Sequence, residues 1–188
     1  MTRIVFIILA CIFIPNMILA QMDTSLTPNY TKGKNNAASL GINIPVGEFA
    51  ETHIVGISLN YSWSHYRFGK LNKVPKKLIG FTANAGIDYY FGKEETVSGY
   101  DFKYSSYVYL QVFGGAIYNP CKDGNITLTT GPTIDLYKGN IDFGFGVTLN
   151  GSYYFNDRIA ITPGVIYMKH NKTNALWAVS MKATYNLQ

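Results

Sequence analysis

Few side chains in this sequence are placed to do chemistry. A hydrolytic or acyl-transfer site needs a base beside a nucleophile and an orienting carboxylate, and the available imidazoles are His53, His65 and His170. His53 follows Glu51 and Thr52 at a strand end, where an imidazole is ordinarily solvated. His65 falls on an apolar face near one rim, where an amphipathic ring is at home. His170 sits in the polar run Lys169-His170-Asn171-Lys172-Thr173-Asn174, which reads as a loop. No catalytic residue, metal ligand or cofactor site is expected from them. The carboxylates are more informative, because Asp88, Asp135 and Asp142 fall on the polar side of three segments and near the same end. Acids gathered in one low-dielectric mouth repel one another unless a cation or a basic side chain is present. Lys182 is on the same side, nearer the middle of its segment. The expectation is a solvated rim of hydrogen-bonded carboxylates; the alternative is an interior acidic vestibule that attracts cations.

The segments carrying these groups alternate with period two, the signature of strands with one apolar and one polar face. Near the C-terminus Trp177, Val179, Met181, Ala183, Tyr185 and Leu187 alternate with Ala178, Ser180, Lys182, Thr184 and Asn186. The same pattern runs through 38–44, 55–64, 79–91, 125–137, 141–155 and 158–168. Segment 104–118 is apolar on both faces, with Val108, Leu110 and Val112 on one and Tyr107, Tyr109 and Phe113 on the other. Several of these are long for globular strands, which usually run about 5 to 6 residues, and match a tilted membrane strand of about 9 to 11 residues plus its ends.

The turns give a second check, because paired residues in a hairpin share a face. Between Leu136 and Phe143 the apolar set changes from even to odd numbers, which a two-residue Gly139-Asn140 turn allows. Between Phe155 and Ile159 both apolar sets are odd, and Asn156-Asp157-Arg158 supplies the three-residue loop this demands. Eight strands result, the even number that an up-and-down barrel with both termini on one side requires.

The chain has 188 residues, enough for one domain, with 15 Tyr, 11 Phe and 18 Gly, and charged residues are 14% of it, below the ordinary ~25%. Arg3 precedes an apolar run over 4–19 that is interrupted by Pro15 and Asn16 and ends at Ala20 before Gln21. That is the form of a cleavable secretory signal peptide over 1–20. Residues 21–36 read as a flexible periplasmic segment and 37–188 as the barrel. Removing the leader takes Cys11 with it and leaves Cys121 alone, which excludes an intramolecular disulfide framework and a cysteine zinc cluster. The pI near 9.1 comes from charge spread along the chain, with its densest cluster at Lys70, Lys73, Lys76 and Lys77. On an exported protein that reads as a solvated turn, and no nucleic-acid partner is expected.

Alternation alone leaves open whether the oily face points in, as in a soluble lipocalin-like barrel, or out into lipid. Eight strands leave an interior just wide enough for side chains, and the polar faces carry the Gly, Ser, Thr and Asn that would fill it. The apolar faces lie beside few charges, and the aromatics gather where strands would cross two water interfaces. Trp63, Phe68, Tyr118, Tyr153, Phe155 and Tyr185 fall at one set of strand ends, and Tyr89, Phe91, Tyr104, Tyr167 and Trp177 at the other. The expected fold is an all-β, eight-stranded antiparallel transmembrane β-barrel of the cell outer membrane.

The run Gly41-Ile42-Asn43-Ile44-Pro45-Val46-Gly47-Glu48-Phe49-Ala50-Glu51-Thr52-His53 before a long alternating strand resembles the first hairpin of the small outer-membrane β-barrel domain proteins common in Bacteroidota. The terminal Tyr185-Asn186-Leu187-Gln188 is similar to the strand signal read by the barrel assembly machinery, although it ends on Gln188 where that signal has an aromatic residue. The resemblance implies a non-enzymatic structural or surface-interaction role like that of OmpA- and OmpX-type barrels. The partners it implies are outer-membrane lipids, the assembly machinery and an unidentified extracellular molecule. Outer loops are expected at 45–52, 92–103 and 169–174, and the second, with Glu94, Glu95, Tyr100 and Asp101, is the candidate contact surface. A narrow OmpW-like channel for small or apolar solutes is the alternative, supported by inward Gly56, Gly80, Gly86, Gly144 and Gly146. A lipid-modifying enzyme using His53 is a remote third, since no serine stands at a spacing like that of the lipid A deacylase barrels.

Overall fold

The computed structural model describes residues 34–67, 78–97, 100–121, 123–170 and 175–187. The leader over 1–20, the segment up to residue 33, Phe68, the lysines of 70–77 and the tip of the 169–174 loop lie outside the described residues.

Alternating sequence becomes long strands: β1 (Lys34–Val46), β2 (His53–Arg67), β3 (Leu78–Gly92), β4 (Glu94–Val97), β5 (Tyr100–Lys103), β6 (Tyr107–Cys121), β7 (Gly124–Tyr137), β8 (Asn140–Tyr154), β9 (Ile159–His170) and β10 (Leu176–Leu187), with one helical turn, α1 (Phe49–Thr52). Eight of the strands close into a barrel in the order β1-β10-β9-β8-β7-β6-β3-β2, every neighbour antiparallel. The closing ladder joins β1 to β10, from Asn36↔Leu187 to Val46↔Trp177, so the barrel itself has no edge strand. The up-and-down eight-stranded barrel is therefore the fold.

The surface is inverted relative to a soluble barrel. Leu40, Ile57, Leu59, Phe81, Val112 and Phe143 point outward and are exposed, while Ser58, Asn60, Thr129, Thr148 and Ser180 point inward and are buried. On β6 the two oily faces separate cleanly, Leu110 and Val112 lying exposed outside and Tyr107, Tyr109 and Phe113 buried inside.

Several details differ from the sequence reading, among them the strand read as 104–118, which runs Tyr107–Cys121. β1 begins at Lys34, pairing Lys34 with His65, where the flexible segment was expected to run to residue 36; Lys34, Asn35 and Asn36 are all polar, so alternation is silent there. The β7–β8 turn is Lys138-Gly139, closed by Tyr137↔Asn140, one residue earlier than Gly139-Asn140. Both turns satisfy the parity argument, and the choice falls on the pair that can take positive φ together, 51° at Lys138 and 76° at Gly139. The expected loop at 92–103 contains a hairpin, β4 paired with β5 from Glu94↔Lys103 to Val97↔Tyr100. Finally, a register shift between His53 and Gly56 inserts a bulge at the start of β2. The three-residue loop 156–158 stands as read, with the backbone N–H groups of Arg158 and Ile159 donating to Asn156 Oδ1 at 2.9 and 2.8 Å.

Candidate functional site

The bore has two unlike halves. In the half away from the chain ends of the barrel, the strand leaves β1 through Gly47, whose φ of 65° makes the tight exit possible. The single turn α1 then folds Phe49 back into the barrel mouth, with Thr52 Oγ1 donating to the Phe49 carbonyl at 3.3 Å. Phe49 packs against His53 at 4.7 Å between ring centroids, Tyr90 at 4.8 Å and Tyr107 at 5.9 Å. Tyr109, Ile166, Met168 and Ala178 continue this apolar cluster inward. The segment expected as an outer loop at 45–52 is thus partly a stopper.

Beneath it lies a polar network. The Tyr107 hydroxyl donates to Asp135 Oδ2 at 2.5 Å and meets His170 Nδ1 at 3.2 Å, while Thr133 Oγ1 lies 3.2 Å from His170 Nε2. His170 Nε2 is 3.9 Å from Asp135 Oδ1. Nearby, Asn43 Nδ2 donates to the Tyr90 hydroxyl at 3.2 Å.

Three site expectations are corrected by this arrangement. His170 is not in a polar loop: it is the last residue of β9, inward and 1% exposed. His53 is not solvated: the bulge turns it inward, where it is 4% exposed and bonded to Thr52 Oγ1 at 2.8 Å. The three acids do face the bore, yet Asp88 and Asp135 are 0% and 3% exposed, so they form no solvated rim. Only Asp142 is half-buried, its Oδ1 accepting the Phe143 N–H at 3.0 Å. Asp88 accepts no hydrogen bond of ordinary geometry from the described residues. Lys182 is inward and buried as expected, within Coulombic reach of Asp88 but not in contact with it. A base, a carboxylate and a hydroxyl do meet here, at His170, Asp135 and Thr133, but Thr133 is buried. Within the cluster Asp135 Oδ2 and both His170 nitrogens have partners, whereas Asp135 Oδ1 and the neighbouring Tyr109 hydroxyl have none among the described residues.

The other half of the bore is a polar cavity of ≈ 90 Å³ lined by Ser39, Asn60, Ser62, Asn84, Thr129 and Lys182 among others. At the ~30 Å³ that a water occupies in the liquid it has room for about three waters. Hydroxyl chains cross its wall, Ser39 to Thr184 at 2.8 Å and on to Thr162 and Ser152 at 3.0 Å each. Gln111 Nε2 donates to Asn60 Oδ1 at 2.6 Å.

Four of the five inward glycines that support the narrow-channel reading sit directly against larger side chains. A Cβ on Gly56 would strike the Tyr90 ring, on Gly86 the Asn60 amide, on Gly144 the His170 ring, and on Gly146 Phe113 and Tyr109. Each of these four glycines gives room to a neighbouring side chain that a Cβ would displace.

Outside, the expected girdle residues occupy opposite ends of the ladders. Trp63, Tyr118, Tyr153, Phe155 and Tyr185 lie toward the chain-end rim, and Tyr89, Phe91, Tyr167 and Trp177 toward the stoppered one. They stack locally, Tyr167 on Trp177 at 4.7 Å and Tyr89 on Phe91 at 5.0 Å. The candidate contact residues divide between two faces of the β4–β5 hairpin, Glu94 and Asp101 on one, Glu95 and Tyr100 on the other. Lys103 pairs with Glu94 and Lys93 with Glu95 at 2.8 Å, and these hydrogen bonds hold both ammonium groups above their ordinary pKa.

Sequence reasoning missed Phe49 and the Tyr107–Asp135–His170 network. The one available signal was the doubly oily β6, whose inward aromatics had to be covered from somewhere.

No family model matches the chain, and no curated protein does. Among solved structures it is similar to Ail, the attachment invasion locus protein of Yersinia pestis. In complex with the heparin analogue sucrose octasulfate, Ail matches at TM-score 0.56 and 12% identity over 84% of this chain and 100% of that one. In a phospholipid bilayer nanodisc it matches at 0.53 and 12% over 82% and 100%. The outer membrane enzyme PagL matches at 0.51 and 9% over 79% of this chain and 97% of that one. The class is thereby defined: an eight-stranded closed antiparallel β-barrel with the fold of the small outer-membrane barrels. Within that class the chain is similar in fold to Ail and to PagL, and at these identities the likeness is one of fold.

Proposed function

We propose that this chain is an integral outer-membrane protein with a non-enzymatic structural or surface-interaction role, exported by a cleavable signal peptide over 1–20 and inserted by the barrel assembly machinery. The observation that carries the reading is the stopper: Phe49, Tyr90, Tyr107, Tyr109 and Phe113 fill one half of a bore whose outer wall is apolar. A wall of exposed Leu, Ile, Val and Phe is costly in water and stable in hydrocarbon. A filled bore weighs against a channel, and a sealed His170 weighs against catalysis. The fold itself admits both outcomes, since Ail is an attachment protein and PagL an enzyme. The burial of Asp88 and Asp135 likewise weighs against a cation-attracting vestibule. The β4–β5 hairpin, with Glu94, Glu95, Tyr100 and Asp101, is the surface from which an extracellular partner would be met.

Planar-bilayer recording tests the role. The purified barrel is expected to insert without reproducible single-channel steps. Steps of constant amplitude would transfer the reading to the narrow channel for small solutes.

A further inference from the structure

Among the described residues, one charged group lines the polar cavity. Lys182, on β10, is 6% exposed, and no carboxylate joins it in the cavity wall. Its neighbour across the ladder is Gly41, where a Cβ would come within 2.5 Å of Lys182 Cγ and 2.9 Å of Ser58 Oγ. Glycine at that position lets the lysine stem lie over β1 beside Ser58 of β2, which keeps the ammonium inside the bore.

An ammonium carries three donors and accepts nothing. The one acid in Coulombic reach, Asp88 of β3, lies outside the cavity wall, makes no contact with Lys182, and has no partner on either oxygen among the described residues. Attraction at that separation lowers the cost of burying the charge but fills none of its hydrogen bonds. The wall does not fill them either. The amide oxygens of Asn84, Gln111, Asn125 and Asn150 have no partner, but they are sealed between neighbouring side chains, whereas the ammonium opens on the cavity.

The hydroxyls of the wall supply further donors. Thr162 Oγ1 donates to Ser152 Oγ at 3.0 Å. Having one proton, Thr162 must accept from Thr184, and Thr184 must accept from Ser39. The chain therefore runs in one direction, Ser39 to Thr184 to Thr162 to Ser152, and leaves the Ser152 proton unspent at the cavity wall.

The geometry points to a small monovalent anion, a halide ion in size and charge, bound in this cavity against the Lys182 ammonium. One ammonium balances one negative charge, and a volume of about three waters takes a halide with one or two waters beside it. The bound ion completes the half of the bore that the aromatic stopper does not reach.

The test is the folding equilibrium of the full barrel in phosphatidylcholine vesicles, titrated with urea in sodium chloride, sodium bromide or sodium gluconate of equal ionic strength. Gluconate is larger than the cavity and serves as the reference. Chloride at ten times its dissociation constant is expected to raise the folding equilibrium constant about 11-fold over gluconate. Lys182→Met, which keeps an unbranched stem and loses the charge, is expected to show no difference between the salts. Crystals of the unaltered barrel grown in bromide are expected to give an anomalous signal beside Lys182 Nζ, a measurement that stands even if Lys182→Met fails to fold. Equal stability in all three salts without that signal would overturn the site and leave water alone solvating the ammonium. A bromide signal without any salt dependence would mean binding at crystal concentration only, and would overturn it too. So would a halide effect of the same size in Lys182→Met, which would place the ion elsewhere on the protein.

Discussion

Replacing Leu59 by arginine is expected to destabilise the folded barrel in bilayers by about 2–4 kcal/mol, the cost of a cation on the lipid face near the midplane. Leu59 is outward and exposed, and its ladder partners Leu40 and Ile87 are apolar as well. His65→Arg, on the same strand and the same face, is expected to cost about 0–1 kcal/mol, because the effect falls away near the interface. His65 sits at the chain-end rim, stacked at 6.0 Å on Trp63. Urea titration of folding into vesicles measures both variants. In a barrel surrounded by water the two substitutions would cost the same small amount, so it is the dependence on depth that distinguishes lipid from solvent.

Phe49→Ala should cost about 3–5 kcal/mol, the usual penalty for removing a buried phenyl ring. The ring touches His53, Tyr90 and Tyr107, and a void in that position would also loosen the cover over the Tyr107–Asp135 hydrogen bond. Glu51→Ala, in the same helical turn but exposed, should stay within about 0.5 kcal/mol. Equal, small effects at both positions would mean that α1 is an ordinary surface loop and that the stopper is not part of the folded core.

The architecture was legible because period-two alternation, turn parity and aromatic placement constrain one another. Val147 must share a face with Phe145 and Leu149 whatever the details of the hairpins. The candidate site was less legible, for a physical reason. Alternation reports which face a residue takes only while the register holds, and the bulge between His53 and Gly56 breaks it where the stopper forms. His170 was misplaced because a polar end of a membrane strand has the composition of a loop. Its inward parity with Ile166 and Met168 was present in the sequence but unmarked by any apolar outward partner beyond Tyr167. The acids were assigned to the correct face, but whether a mouth is open depends on Phe49 and Tyr107, which enter from other elements. The hairpin at 94–103 was invisible to hydropathy, because what joins its strands is a short ladder of four residue pairs and the cross-strand Lys103–Glu94 ion pair, not an alternating apolar face.

The central claim is a lipid-facing apolar wall around a filled bore, and gel mobility after membrane fractionation tests it most directly. The account predicts that the mature protein sediments with the outer membrane and migrates faster unboiled than boiled, as a closed barrel resists detergent until heated. A protein found soluble in the periplasm, with one mobility whether or not it is boiled, would contradict it.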